Sequence, residues 1–349
     1  MLPSMSRAGA RRVNHLAQAA AAAQAAGQPF DAVSAAFALG YVAGRKFRAS
    51  RAGARRVNSL AQAMPLRDGN SMPFFGLGTW LANDGECEAA CLAALRRGYR
   101  HIDTAAMYRN ESEVGNAIKK WESEDGGDRS TIFVTTKLKG DDHNNVEAAL
   151  QTSLKKLQLQ QVDLFLIHSP AGGNLVACWD AMLDCQKKGL CRSVGVSNFG
   201  VKQLQALAAT GRAQPVVNQI ELHVWLQQRE TLRYCAAAGI QVTGYCPLAR
   251  CKMFGKSPVL AEIASQCNKT EAEVALRWSC QVQEEQGMPC VTTIPKTTTI
   301  SRVNSNASVV DGGWRLTSAQ MEMLSGLDAV GFKASNSVNT MDLPWADVK

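Results

Sequence analysis

From residue 72 onward, short apolar runs alternate with amphipathic segments. Eight runs read as strands: "PFFGLGTW" (73–80), "YRHIDTA" (99–105), "TIFVTTKL" (131–138), "VDLFLIHSP" (162–170), "CRSVGVSN" (191–198), "PVVNQIEL" (215–222), "IQVTGYCP" (240–247) and "CVTTIPK" (290–296). They are rich in Val, Ile, Phe and Thr, and several are almost continuously apolar, as strands covered on both faces should be. Between them the apolar period changes to that of a helix. "GECEAACLAALRRG" sets Cys87, Cys91, Leu92 and Leu95 on one stripe, and "NNVEAALQTSLKKLQL" does the same with Val146, Leu150, Leu154 and Leu157. "LVACWDAMLDCQKKGL" closes on Lys187, Lys188 and Gly189, a basic last turn and a C-terminal glycine. "SNASVV" and "TSAQMEMLSGL" continue the helical pattern, the second opening on a Thr cap. Alternating strand and helix implies parallel strands with right-handed crossovers. Eight such units in about 250 residues predict an α/β fold, a closed (β/α)8 TIM barrel. An open doubly wound sheet is the competing architecture, but its G-x-G-x-x-G signature is missing.

The strand ends carry unusual polar residues. The second strand ends at Asp103, the third at Lys137 and the fourth at His168. Ser197 and Asn198 end the fifth, Gln219 the sixth, Tyr245 the seventh and Lys296 the eighth. Singly, a strand-end lysine is an ordinary solvated charge and a lone histidine an ordinary edge residue. In a barrel, however, these ends converge on one rim, where such a set is costly to desolvate unless it is paired. "YRHIDTAAMYRNESEVG" (99–115) adds Tyr108 five residues after Asp103. A phenol, with a reference pKa of ~10, is a poor acid at neutral pH, and a nearby ammonium lowers that value. Lys137 is the candidate ammonium, and Asp103 can hold it charged. His168 can donate to a substrate oxygen. The four make an acid catalyst for the oxyanion formed when hydride adds to a carbonyl. With no nucleophile and no metal-ligand spacing among them, the hydride has to come from a bound cofactor.

Charge and cysteine content change the picture at one end of the chain. The net charge of +8 lies entirely in residues 1–64, which hold nine Lys or Arg and one acid, Asp31. The high pI therefore does not mark a nucleic-acid surface on residues 65–349. "SRAGARRVNHLAQA" (6–19) returns as "SRAGARRVNSLAQA" (50–63). One repeat is too few for a stacked-repeat fold. Ala- and Arg-rich with almost no acid, residues 1–64 read as a leader, either transit-like or a disordered extension, ahead of a catalytic domain at 65–349. "AVSAAFALGYVAG" is too short to span a bilayer. Eleven cysteines, irregularly spaced and without a C-x-x-C pair, argue for reduced thiols, with Cys87 and Cys91 as packing residues.

Together, "GYRHIDTAAMYRNESEVG", "VTTKL", "LFLIHSP", "GVSNFG", "VNQIELH", "GYCPLA" and "IPKTTTISRVNSN" resemble, in order, the pattern of the aldo-keto reductases over roughly residues 70–340. The resemblance implies a (β/α)8 barrel that reduces aldehydes and ketones with NADPH, bound extended across the rim without a dinucleotide-binding fold. It implies a catalytic tetrad of Asp103, Tyr108, Lys137 and His168, with Tyr108 as proton donor. Ser197, Asn198 and Gln219 fall where the family holds the nicotinamide carboxamide, and Tyr245 where a ring stacks on it. Leu248 follows in the same segment. Lys296, Thr297 and Arg302 match the grip on the 2′-phosphate, and Asn306 an adenine contact. Two cations at a phosphate favour NADP over NAD.

Departures from the pattern bear on the pocket. Ser305 stands where Glu is common, Cys246 where Ser is common, and Ser169 where many members have Trp. The "AGGNL" loop and the tail after Leu327 are short, which suggests an open pocket and broad substrate use. His168, Trp80 and Trp225 are the candidate substrate contacts, the two Trp as aromatic walls. The partners expected are a small carbonyl compound, with no metal, nucleic acid or membrane, and the state expected is a monomer. The location expected is cytoplasmic, or mitochondrial or plastid through the leader. The competing functions are a non-catalytic NADPH sensor or structural protein on the same scaffold, and a nucleic-acid binder acting through the leader.

Overall fold

The computed structural model describes residues 58–82, 85–172, 174–285 and 287–343. Most of the leader, residues 1–57, lies outside the described residues. The body reaches back past the expected boundary at 65. Strand β1 (Ala63–Pro65) pairs antiparallel with β2 (Ser71–Pro73). The turn between them carries Gly69 at φ 93, a left-handed backbone that glycine adopts without a Cβ penalty. Met64 and Met72 are fully buried, and Leu60 and Leu66 nearly so. The hairpin lies at the N-terminal ends of the barrel strands: Asn70 Nδ2 donates to Arg192 O and Ser193 Oγ, and Gln241 Nε2 donates to Pro65 O.

Eight parallel strands follow: β3 (Leu77–Gly78), β4 (His101–Asp103), β5 (Phe133–Leu138), β6 (Val162–Ile167), β7 (Cys191–Ser197), β8 (Val217–Glu221), β9 (Gln241–Tyr245) and β10 (Val291–Thr293). Each pairs with the next in chain order. Phe75 bridges Thr293 and Gly78 bridges Lys296, so the first and last strands meet and the barrel closes. All eight fall inside the apolar runs read as strands. The first run is divided: Pro73 ends β2, and only Leu77–Gly78 join the barrel. β5 and β6 are buried at every position, which is why they lack polar alternation.

The helices α1 (Glu86–Arg97), α2 (Glu111–Asp125), α3 (Val146–Leu157), α4 (Leu175–Lys187), α5 (Val201–Ala209) and α6 (Arg229–Ala238) connect successive strands. The apolar stripes of α1 and α3 are buried as the spacing requires, Cys87 and Cys91 included. Two helices, α7 (Pro258–Cys267) and α8 (Glu271–Gln281), stand between β9 and β10. Ser257 caps α7 ahead of Pro258, and Thr270 with Glu273 forms a capping box on α8. α9 (Ile300–Asp311) and α10 (Ser318–Ser325) complete the fold, and Thr317 caps α10 as expected. Among the described residues no helix is long and apolar enough to cross a membrane.

Candidate active site

The C-terminal rim holds a cavity of about 520 Å³. Its walls include Trp80, Asp103, Tyr108, His168, Ser197, Asn198, Gln219, Tyr245, Leu248 and Lys296. Ten of the residues named from the sequence therefore meet in one place. Lys137 lies just beneath them, with no exposed surface.

The polar contacts run inward from the mouth. Lys137 Nζ donates to Asp103 Oδ1 at 2.6 Å, to Thr104 O at 2.8 Å and to Tyr108 Oη at 3.2 Å. Gln219 Nε2 donates to Asp103 Oδ2 at 2.7 Å. Burial pushes the Asp103 carboxyl up and the Lys137 ammonium down, and each is opposed by the charge of the other. Glu111, buried at the start of α2, accepts from Thr136 Oγ1 at 2.7 Å, and its charge also favours the ammonium.

Tyr108 sits on a single turn of 3-10 helix, Ala106–Tyr108, between β4 and α2. Asn110 fixes that turn. Its Oδ1 accepts from Thr104 Oγ1 at 2.9 Å, while its Nδ2 donates to Thr79 O at 2.8 Å and Ala82 O at 2.9 Å. The loop that bears Trp80 is thereby tied to the loop that bears Tyr108. Asn110 lay within the stretch that flagged the site, but its side-chain role depends on contacts with residues far along the chain.

One electrostatic expectation is reversed. The Tyr108 phenol is pushed well above its ordinary value, first by burial and then by the charge of Asp103. Lys137 touches the phenol and is itself paired with Asp103. The phenol therefore holds its proton at neutral pH. His168 is pushed down to about 3 by burial and by the Lys137 charge, so its imidazole is neutral and keeps one N–H to donate. Its ring stands edge-on to Tyr108 at 5.6 Å between centroids, and its buried Nδ1 has no protein partner.

Beside this cluster the amide and hydroxyl groups are paired with one another. Ser197 Oγ donates to Gln219 O at 2.8 Å. Asn198 Nδ2 donates to His168 O at 2.9 Å, and Tyr245 Oη donates to Asn198 Oδ1 at 2.8 Å. Asn198 holds a left-handed backbone at φ 62, a conformation that Asn tolerates better than most residues. At the mouth, the Arg250 guanidinium lies over the Trp80 ring, 4.3 Å from its centroid.

Four sequence-named residues stand elsewhere. Trp225 does not line the cavity. It is fully buried against Phe254 and His223, so it is a packing residue and not a substrate wall. Thr297, Arg302 and Asn306 are outside the cavity lining: Thr297 just precedes α9, Arg302 is in its first turn and Asn306 is midway along it. Thr297 Oγ1 accepts from Thr299 N at 3.1 Å, and Arg302 is exposed in the first turn. The tail folds back and contributes Ser335 and Ser337 to the cavity wall. Leu81 and Met107, both exposed, form an apolar lip there that strand-end reasoning does not reach.

A family model described as "Aldo/keto reductase family" matches residues 75–329. The chain belongs to the aldo-keto reductase family. As a member it is an NADP-dependent oxidoreductase acting on carbonyl substrates. It is 41% identical over 265 residues to the methylglyoxal reductase DkgA of Escherichia coli (strain K12), spanning 75% of this chain and 92% of that one. It is 38% identical over 264 residues to the glyoxal reductase of Bacillus subtilis (strain 168), spanning 75% and 91%. Among solved structures, an aldo-keto reductase of Bombyx mori in complex with NADP superposes with a TM-score of 0.72 at 31% identity, covering 82% of this chain and 98% of that one. An aldose reductase of Schistosoma japonicum gives 0.70 at 31%, covering 76% and 91%.

Proposed function

We propose that this aldo-keto reductase reduces aldehydes and ketones to alcohols with NADPH, with Tyr108 as the general acid. The observation that carries the reading is the contact chain Asp103–Lys137–Tyr108 opening onto a cavity that also holds His168. Such a pair costs several kcal/mol to desolvate, a cost that a protein kept only as a scaffold or sensor has no reason to bear.

The residues present fit the cofactor. Ser197, Asn198 and Gln219 offer amide and hydroxyl groups at one cavity wall, and the Tyr245 ring lies beside them. Lys296, Thr297 and Arg302 gather at the start of α9, where a phosphate would meet cationic side chains and a helix N-terminus. Asn306, within α9, is the adenine contact. A nicotinamide held at this wall supplies the hydride. Everything else falls to the chain. His168 donates its N–H to the carbonyl oxygen and fixes the face that is presented. Tyr108 gives its proton to that oxygen as negative charge develops there, since an alkoxide is far more basic than a phenolate. Lys137, 3.2 Å away, then stabilises the phenolate. Trp80 and the Leu81–Met107 lip exclude water from the reacting carbonyl.

Purified protein should consume NADPH with 4-nitrobenzaldehyde and with methylglyoxal, the substrate that its relatives' name points to. It should be at least about tenfold less efficient with NADH, and Arg302→Ala should erase much of that preference. Tight NADPH binding with no turnover on any aldehyde or ketone would move the assignment to a sensor.

A further inference from the structure

The chain after α10 is a strap across the rim, held at two ends. At one end, Phe332 N donates to Trp225 O at 3.1 Å and Ala334 N donates to Glu221 Oε1 at 2.5 Å. At the other, Gln203 Nε2 donates to Thr340 O at 2.8 Å and Leu343 O at 3.1 Å, and Met341 O packs so closely on Gly200 that a Cβ there would come within 2.2 Å. Between the anchors, Ser335 and Ser337 enter the same cavity wall as Tyr108 and His168. Ser335 lies within hydrogen-bonding reach of the Tyr245 hydroxyl.

Glu221 is an odd residue to find there. It ends β8 two positions after Gln219, on the face that turns to the rim. Its side chain is 0% exposed, and among the described residues no Lys or Arg is paired to it. One oxygen takes the Ala334 N–H and also meets His223 Nε2 at 3.0 Å, while the other has no protein partner. A buried carboxylate so thinly compensated is costly, and packing alone would be served by an apolar side chain. What it achieves is a charge-assisted bond to the backbone of the strap.

We infer that Glu221 is a positioning residue for the substrate: by seating the strap on the rim, its carboxylate sets where Ser335 and Ser337 stand in the cavity wall. His223 completes the clasp, fixing the carboxylate from one side while its ring faces Phe332 at 6.3 Å. The inference rests on the reductase reading for its substrate term only, since the anchoring itself is independent of turnover.

The test compares Glu221→Ala, Glu221→Gln and Ala334→Pro in the full chain. Ala334→Pro removes the donated N–H and leaves Glu221 in place. Hydrogen exchange over residues 332–343 should accelerate in Glu221→Ala and Ala334→Pro while exchange in β5 and β6 is unchanged. The KM for 4-nitrobenzaldehyde should rise about tenfold in both, with kcat within about threefold of the parent and NADPH affinity kept. Glu221→Gln retains an acceptor oxygen and should recover most of the KM. Faster strap exchange with an unchanged KM would overturn the inference, as would equal acceleration in β5 and β6. A parent without turnover would instead sink the reductase reading and leave the exchange result to judge the clasp.

Discussion

Lys137 and Asp103 carry a large energetic stake, because both are buried and each is the other's compensation. Removing one charge strands the other, which costs about 3–5 kcal/mol in such pairs. Asp103→Asn should therefore lower the thermal midpoint far more than Tyr108→Phe, which deletes one hydroxyl from the same cluster. Thermal melts of the two variants check this, and equal midpoints would contradict it. Burial also pulls the Lys137 ammonium below its ordinary value of 10.5. The alkaline fall of kcat/KM for reduction should accordingly have its midpoint below that value, read from a pH–rate profile. At this scale the clustering of Asp103, Tyr108, Lys137 and His168 was legible in the sequence because polar residues at strand ends are expensive unless they are paired. The direction of the Tyr108 shift was not, because it depends first on how deeply the phenol is buried and then on the charge of Asp103 beside it. Trp225 was misread for a similar reason: an aromatic near a rim faces the cavity or the packing depending on one turn of backbone.

Helices were legible from the apolar period in α1 and α3 and from the Thr cap in α10. "RDGN" between two apolar pairs is a turn signal for the hairpin β1–β2, but the Ala- and Arg-rich composition that runs up to residue 64 masks its first strand. The strap was illegible because nothing periodic marks it; it is defined by backbone contacts to Glu221, Trp225 and Gln203. Gly200 makes that dependence testable. A methyl group at this position would strike Met341 O, so Gly200→Ala should loosen the far end of the strap while the barrel keeps its melting temperature within a few degrees. Limited proteolysis after residue 330 reports the first and a thermal melt the second. Uncut protein would mean that the strap yields without detaching.

Over the whole molecule, the buried core takes in Leu60 and Met64, which precede residue 65 in the chain. A chain starting at Asn58 should melt like the full chain. One starting at Pro65 loses Leu60 and the fully buried Met64 and should be less stable by about 2–5 kcal/mol, measured by urea unfolding. Equal stability of the two would return the boundary to residue 65. Acid stability follows from two buried imidazoles. His101 and His168 are each pushed from the ordinary 6.5 to about 3 by burial and by the Lys137 charge. Between those values the unfolded chain binds protons that the folded chain refuses. Stability is therefore whole above 6.5 and falls as the pH drops, by up to about 1.4 kcal/mol per unit for each group. Melting points from about pH 7 to about pH 4 should decline steadily. A flat profile would mean that the two rings accept protons in the folded state.

The most direct measurement is single-turnover NADPH oxidation with 4-nitrobenzaldehyde by the parent and by Tyr108→Phe, with the NADPH dissociation constant measured for both. Among the described residues the phenol is the one hydroxyl in contact with Lys137, so its loss should slow the chemical step about a hundredfold or more at unchanged cofactor affinity. A variant that turns over within a few-fold of the parent would show that Tyr108 is not the acid, and the proton would have to come from His168 or water.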